Sequence, residues 1–152
     1  ELGIAERNDA GMVTLFDTNA LIYAFDPASP FHAWASKTLF EALSTSGAAV
    51  NPVILAELCV GDQTPETVEG RLKRLSVAFL DLPCAASERA AEAFRSCLLA
   101  RKESGLETER KVPLPDFFIG AHAELLNLPL ATVDTTRYRI YFPKVGLVTP
   151  RP

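Results

Sequence analysis

Four acidic side chains in this sequence each stand alone in an apolar stretch, at Asp17, Glu57, Asp116 and Asp134. A carboxylate in apolar surroundings costs several kcal/mol unless a counter-charge meets it. No Lys or Arg lies within the stretches around the first three of these acids. We therefore expect the four acids to meet around a divalent cation, and Mg²⁺ or Mn²⁺ suits a set of carboxylate oxygens. The natural substrate of such a site is a phosphate ester.

The places of these acids in the predicted elements favour a shared site. Asp17 and Asp134 each follow a short apolar strand, and sites of open α/β sheets lie beyond the carboxyl ends of the strands. Asp116 begins a helix, where the helix dipole favours a carboxylate. Glu57 lies on an apolar helix face, so its side chain is expected to point toward protein. Each acid alone is as well explained by a helix cap or an ordinary ion pair, and only the four together favour a site.

Short apolar strands alternate with helical patterns along the chain. This alternation favours a single-domain α/β/α sandwich around a central parallel sheet that is covered on both faces. Strands are predicted at 13–16, 48–51, 77–82, 130–133 and 145–148. Helices are predicted at 18–25, from Ser29-Pro30 to Gly47, at 52–61, after Thr64-Pro65, at 87–104 and at 116–126, with a charged loop at 106–115.

The first eleven residues are predicted to lie outside this domain. Met12 directly precedes the first strand pattern. We interpret residues 1–11 as an upstream extension or a vector-derived tail and residues 12–152 as the domain.

Composition and charge narrow the class of protein. The 152 residues, 48% of them hydrophobic and 22% charged, are typical of one globular domain. No apolar run approaches the roughly 18 residues of a membrane span, so no membrane partner is expected. The formal charge of −4 gives no general basic field, so a nucleic-acid partner would be held by metal or by local patches. Three cysteines without metal-type spacing favour small core thiols in a reducing cytoplasm.

Four segments carry a resemblance to a known family. They are Leu-Phe-Asp-Thr-Asn-Ala-Leu-Ile-Tyr at 15–23, Ile-Leu-Ala-Glu-Leu-Cys-Val-Gly at 54–61, Pro-Asp-Phe-Phe-Ile-Gly-Ala-His-Ala at 115–123 and Ala-Thr-Val-Asp-Thr-Thr-Arg-Tyr at 131–138. They resemble the four acidic motifs of the PIN domain. In size and ending, the chain is most similar to VapC-type toxin ribonucleases of type II toxin–antitoxin systems, and the resemblance extends from Met12 to Pro150.

This resemblance implies a fold, an activity and partners. The fold is a three-layer α/β/α sandwich, and the activity is Mg²⁺- or Mn²⁺-dependent endoribonuclease cleavage by a metal-activated water, leaving a 5′-phosphate and a 3′-hydroxyl. The implied catalytic and metal-binding residues are Asp17, Glu57, Asp116 and Asp134. The resemblance also implies a homodimer and a cognate antitoxin, which would inhibit by placing a basic side chain among the carboxylates.

Four further polar residues lie near the acidic motifs. The family places polar residues at Asn19 and Thr132, where they would orient carboxylates or water, although a purely local hydrogen bond explains each equally well. Arg137 and Arg139 follow Asp134 closely and are candidates for contacts with RNA phosphates, with a solvated helix face as the equal alternative.

The sequence departs from the common family pattern at Val133, which is often polar or basic, and at Gly120, where alanine is frequent. His122 is off the Asp116 direction of its helix and is expected to pack rather than to bind metal.

Other classes stay open at this point. A haloacid-dehalogenase-type phosphotransferase needs a second aspartate two positions after the first, where this chain has Asn19. A phospho-acceptor receiver domain needs paired early acids and a lysine after a late strand, and Lys144 is poorly placed for that role. The non-enzymatic alternative is a PIN-like binding module that acts only through a partner protein.

Overall fold

Five short parallel strands form the central sheet, in the order β3-β2-β1-β4-β5. The structure is a computed structural model that describes residues 12–62, 66–105 and 113–151. The strands are β1 (Thr14–Phe16), β2 (Ala48–Val50), β3 (Ala78–Phe79), β4 (Leu130–Ala131) and β5 (Leu147–Val148). Their inner members are buried on both faces, as expected for strands sandwiched between helices. The predicted parallel sheet is therefore confirmed.

Helices follow the strands and cover the sheet, which gives the predicted α/β/α architecture. In the described residues they are α1 (Thr18–Ala24), α2 (His32–Ser44), α3 (Pro52–Val60), α4 (Val68–Arg74), α5 (Ala85–Glu103), α6 (Leu114–Leu125) and α7 (Thr135–Tyr141). Helix α1 packs on α2 and on α3, while α6 packs on α5 and on α3. Because α3 touches both α1 and α6, it brings Glu57 toward Asp17, the N-cap of α1, and toward Asp116 in the first turn of α6.

Four helix starts differ from the prediction. Helix α5 begins at Ala85 rather than at 87, and α6 begins at Leu114 rather than at Asp116. Helix α2 begins at His32 rather than at Ser29-Pro30, because the Ser29 hydroxyl accepts the backbone N–H of Phe31 within a turn that precedes the helix. Helix α4 begins at Val68, where the Thr67 hydroxyl accepts the backbone N–H of Gly70 at 3.0 Å. The predicted start at 64–65 lies outside the described residues, as do the predicted extension at 1–11 and most of the charged loop.

The strands are shorter than predicted, and one helix was not predicted. Strand β3 is limited to Ala78–Phe79 instead of 77–82, and β5 to Leu147–Val148. Helix α7 (Thr135–Tyr141) occupies a stretch of threonine, tyrosine and isoleucine whose intrinsic preference is for strands. Burial of Tyr138 against the core overrides that preference.

The glycine on α6 is explained by the packing of one aromatic ring. A Cβ atom at Gly120 would overlap the ring of Phe142, which is itself buried. The ring of Phe142 also lies 6.1 Å from that of Phe117 and 6.4 Å from that of Tyr138, measured between centroids. An aromatic cluster thus fills the space that an alanine at 120 would need.

None of the helices in the described ranges is both long and apolar enough to cross a membrane. All three cysteines are free thiols; Cys97 is buried, whereas Cys59 and Cys84 are exposed. The expectation of core thiols is therefore right for Cys97 and wrong for the other two.

Candidate active site

The strand order has a topological switch point between β1 and β4. The chain passes from β1 to β2 and β3 on one side, then returns to β4 on the other side of β1. Loops leaving β1 and β4 therefore diverge, which is where open α/β sheets form sites. Asp17 directly follows β1, and Thr132 and Asp134 follow β4.

Asp17 is buried, with 6% of its surface exposed, and both of its carboxylate oxygens are engaged. Its Oδ1 accepts the backbone N–H of Thr18 at 2.8 Å, which caps α1. Its Oδ2 accepts the hydroxyl of Thr132 at 2.8 Å, and the hydroxyl of Tyr138 lies 3.4 Å away. Burial raises the pKa of Asp17, and the charge of Glu57 adds to this, while the hydrogen bonds from Thr132 and Thr18 oppose it.

Glu57 reaches the same region from helix α3. That helix starts where the side chain of Asn51 accepts the backbone N–H of Ile54 at 2.9 Å, a standard N-cap that fixes the helix direction. The half-buried Glu57 accepts the hydroxyl of Thr18 at 2.7 Å through its Oε1. Since Thr18 is the neighbour of Asp17, this hydrogen bond ties the second acid to the first.

Asp116 lies in the first turn of α6, and the charges of the other three acids affect its pKa. The pKa of Asp116 is raised from 3.8 to about 6, chiefly by burial, next by the charge of Asp17, and less by the charges of Glu57 and Asp134. Only the guanidinium of Arg137 opposes this rise in pKa. Charges that perturb one another in this way face a common space.

Arg137 is a cation within this acidic group. Its Nη1 donates to Oδ2 of Asp116 and lies 3.6 Å from Oδ2 of Asp134. The backbone N–H of Asp134 in turn donates to the Thr132 hydroxyl at 3.0 Å. The absence of Lys and Arg from the stretch around Asp116 therefore does not leave it without a basic partner, because the fold places Arg137 between Asp116 and Asp134.

The other predicted residues fall into two groups. Thr132 is buried and contacts two of the acids. Asn19 is exposed, and within the described ranges it makes no hydrogen bond to an acidic side chain. Arg139 is also exposed and, in the same part of the chain, forms no ion pair. His122 is buried in the core, where its Nδ1 lies 3.1 Å from the side-chain amide of Asn51, as expected for a packing residue.

Two residues near the acids were missed by sequence reasoning. Thr18 holds Glu57, and the hydroxyl of Tyr138 is buried beside Asp17. The available signal for Thr18 was its place between Asp17 and the start of a helix. The sequence gave no signal for Tyr138, because helix α7, on which it follows Asp134 by four residues, was not predicted.

The chemistry of the donors decides whether the site fits a divalent cation. Its donors are hard carboxylate oxygens, and burial together with mutual repulsion raises the pKa of Asp17 and Asp116; a bound cation would relieve both effects. In the described ranges, however, no group of three or more acidic, His or Cys side chains is gathered as a metal site. Instead, Arg137 contacts Asp116 and Asp134, and Thr18 donates a hydrogen bond to Glu57. The donor chemistry therefore fits a cation, while in this structure these three carboxylates are paired with side chains of the protein.

Comparison with known families identifies the class. A PIN domain profile matches residues 14–143, so the chain belongs to the PIN domain family. Among curated proteins, none matches significantly.

Solved structures share this fold over nearly the whole chain. The VapBC2 complex of Rickettsia felis, bound to a promoter DNA fragment, has a TM-score of 0.66 at 19% identity and covers 91% of this chain and 98% of that one. A toxin–antitoxin complex of Klebsiella pneumoniae has a TM-score of 0.59 at 26% identity, with the same coverage of 91% and 98%. VapC20 of Mycobacterium tuberculosis, a toxin that cleaves the sarcin–ricin loop, has a TM-score of 0.57 at 16% identity and covers 88% and 98%.

Proposed function

We propose that this PIN domain is a metal-dependent endoribonuclease and the toxin of a toxin–antitoxin pair, acting in the cytoplasm. The observation that carries the proposal is Asp116, whose pKa is raised to about 6 by burial and by three other acids at one sheet edge. Titratable groups perturbed in this way cluster at functional sites. The toxin–antitoxin complexes of the same fold support the biological role.

Asp17, Glu57, Asp116 and Asp134 are the residues that would hold Mg²⁺ or Mn²⁺. When bound, such an ion supplies a water of lowered pKa and neutralises charge on the scissile phosphate. The protein contributes rigid positioning of the ligands. The hydroxyl of Thr132 donates to Oδ2 of Asp17, and the hydroxyl of Thr18 donates to Oε1 of Glu57. The buried hydroxyl of Tyr138 lies beside the same oxygen of Asp17.

Positive charge for the RNA backbone comes from helix α7. Arg139 is exposed on this helix, and Arg137 is the cation already at the site. Both residues lie on the helix that begins directly after Asp134, so both lie within five residues of the last acid of the proposed site. We assign them contacts with phosphate, which position RNA without reading its sequence.

The proposed antitoxin has a candidate binding surface next to Glu57. A cavity of about 970 Å³ lies between α1, α3 and α4, with Glu57 in its wall. Its lining combines charged side chains with apolar ones, among them Ile22, Phe25, Leu58 and Leu72. A partner segment with an apolar face and a terminal basic residue matches this lining, because its apolar face would cover the cavity while the basic residue reached Glu57 and the other acids.

The role of this cavity as the antitoxin-binding surface is tested by co-purification with the protein encoded beside this one. Phe25 is 54% exposed in the cavity wall, and Phe40 is 72% exposed on α2, outside that wall. We expect Phe25→Glu to weaken the complex at least tenfold and Phe40→Glu to leave it intact. Equal retention of the partner by both variants would show that the antitoxin does not bind at this cavity. The proposed homodimer is tested on the same samples by light scattering.

The nuclease activity is tested with purified protein, Mn²⁺ and a labelled structured RNA. We expect cleavage that EDTA stops, products with a 5′-phosphate, and loss of activity in Asp17→Asn with an unchanged circular dichroism spectrum. Asp81→Asn, an exposed acid outside the site, is the matched control. If no RNA is cut and the antitoxin still binds, the chain is a PIN-like binding module that acts through its partner.

A further inference from the structure

The acidic site contains a positively charged side chain of the protein itself, that of Arg137. The Arg137 guanidinium donates to Asp116 and lies 3.6 Å from an oxygen of Asp134. It also lies 5.9 Å from the centroid of the Phe117 ring, within the range of a cation–π contact. The exposed fractions of the Arg137, Asp116 and Asp134 side chains are 25%, 21% and 43%. This is a partly buried and specific contact, unlike a solvated surface pair.

Arg137 and a divalent cation compete for the same acceptors. Oδ2 of Asp116 and Oδ2 of Asp134 are the atoms that Arg137 approaches, and both acids are in the proposed ligand set. A carboxylate oxygen engaged by a guanidinium offers less charge and fewer lone pairs to a hard ion. Two cations held at one pair of carboxylates also repel each other. Metal binding to these acids is therefore opposed by Arg137.

The geometry allows Arg137 to leave without a change in the backbone. The arginine lies on α7, only three residues after Asp134, and a quarter of its side chain is already exposed. Rotamer changes of partly exposed side chains are fast. A rotation of Arg137 into solvent would open Asp116 and Asp134 to metal.

We propose that Arg137 is an internal counter-cation that holds Asp116 and Asp134 together until a divalent cation displaces it. This inference rests on the proposed function, because it takes the acids to be the metal site. Arg137 stabilises the metal-free protein and, by competition, lowers its affinity for metal. The released guanidinium then lies beside the acids, where a substrate phosphate is bound.

The test measures Mn²⁺ binding by calorimetry in three proteins. Arg137→Gln removes the competing cation, and Arg139→Gln removes the same charge two residues away on the same helix. We expect Arg137→Gln to bind Mn²⁺ about tenfold more tightly than wild type, which corresponds to about 1.4 kcal/mol. We expect Arg139→Gln to stay within about twofold, because screening weakens an exposed charge that, in the described part of the chain, forms no ion pair. Unchanged or weaker binding by Arg137→Gln, with the wild type binding Mn²⁺, overturns the inference.

A second measurement uses the wild-type protein and does not depend on the folding of a variant. The side-chain nitrogen signals of Arg137 and Arg139 are followed by NMR during titration with Mg²⁺, which is diamagnetic. Displacement predicts a large change of the Arg137 signal that saturates with metal binding and a small change at Arg139. A static Arg137 signal at saturation refutes displacement. A wild-type protein that binds neither ion contradicts the proposed function itself, so the two failures are distinct.

Discussion

Replacing Asp116 by asparagine is expected to stabilise the metal-free protein at neutral pH while abolishing cleavage. The pKa of Asp116 is raised from 3.8 to about 6, first by burial and then by the charge of Asp17. The folded protein therefore resists ionisation of this side chain more than the unfolded chain does. Asparagine has nearly the same shape and no charge, so it removes the repulsion and keeps an oxygen that can accept from Arg137.

The size of this effect follows from the shift of about two pKa units. Each unit corresponds to about 1.4 kcal/mol, so full ionisation costs up to about 3 kcal/mol. Burial of the asparagine amide offsets part of this, which leaves an expected gain of about 1–3 kcal/mol. For a domain of this size, such a gain raises the melting temperature by roughly 2–10 °C.

The sign of the pH dependence provides an internal control. Because the pKa of Asp116 is raised in the folded state, its contribution to stability is fully present below about pH 4 and is lost as the pH rises through about 6. The wild type and Asp116→Asn are therefore expected to unfold alike near pH 4 and to diverge between pH 4 and 6. Urea unfolding in EDTA at several pH values measures this.

The matched control for this experiment is Asp81→Asn, which neutralises an exposed acid and is expected to change stability by less than about 0.5 kcal/mol. The reasoning is refuted if Asp116→Asn is no more stable than wild type at pH 7.5, or if the two proteins differ as much at pH 4 as at pH 7.5.

Three further substitutions test the supports of the site and the core. Thr132→Val removes the 2.8 Å hydrogen bond to Asp17; we expect a loss of about 1–3 kcal/mol in urea unfolding and at least tenfold slower cleavage, and wild-type kinetics would contradict this. Thr18→Val frees Glu57 and is expected to weaken Mn²⁺ binding severalfold in calorimetry, whereas unchanged affinity would deny Thr18 its positioning role. Gly120→Ala forces the Phe142 ring to move and is expected to cost about 1–3 kcal/mol in thermal unfolding; an unchanged melting temperature would show that the ring relaxes freely.

The features that were predictable from sequence have local causes. Short apolar strands separated by helices specify a parallel sheet, and the positions after β1 and β4 specify its functional edge. An isolated acid in an apolar stretch can be recognised from the sequence because the apolar residues around it are its neighbours in the chain. Asp17 and Asp134 could be placed at the edge on these grounds alone.

The features that were not predictable depend on contacts between distant segments. The pairing of Arg137 with Asp116 depends on how α7 packs beside α6, and no local pattern encodes that packing. The same holds for Thr18 and Glu57, which are 39 residues apart. Helix α7 itself was missed because its residues favour strands locally and become helical through the burial of Tyr138.

The most direct test of the central claim is the position of Mn²⁺ in crystals of the protein, located by anomalous scattering. The account predicts a peak coordinated by at least two of Asp17, Glu57, Asp116 and Asp134, with the Arg137 guanidinium moved away from Asp116. A protein saturated with Mn²⁺ that shows no peak among these four carboxylates would contradict it.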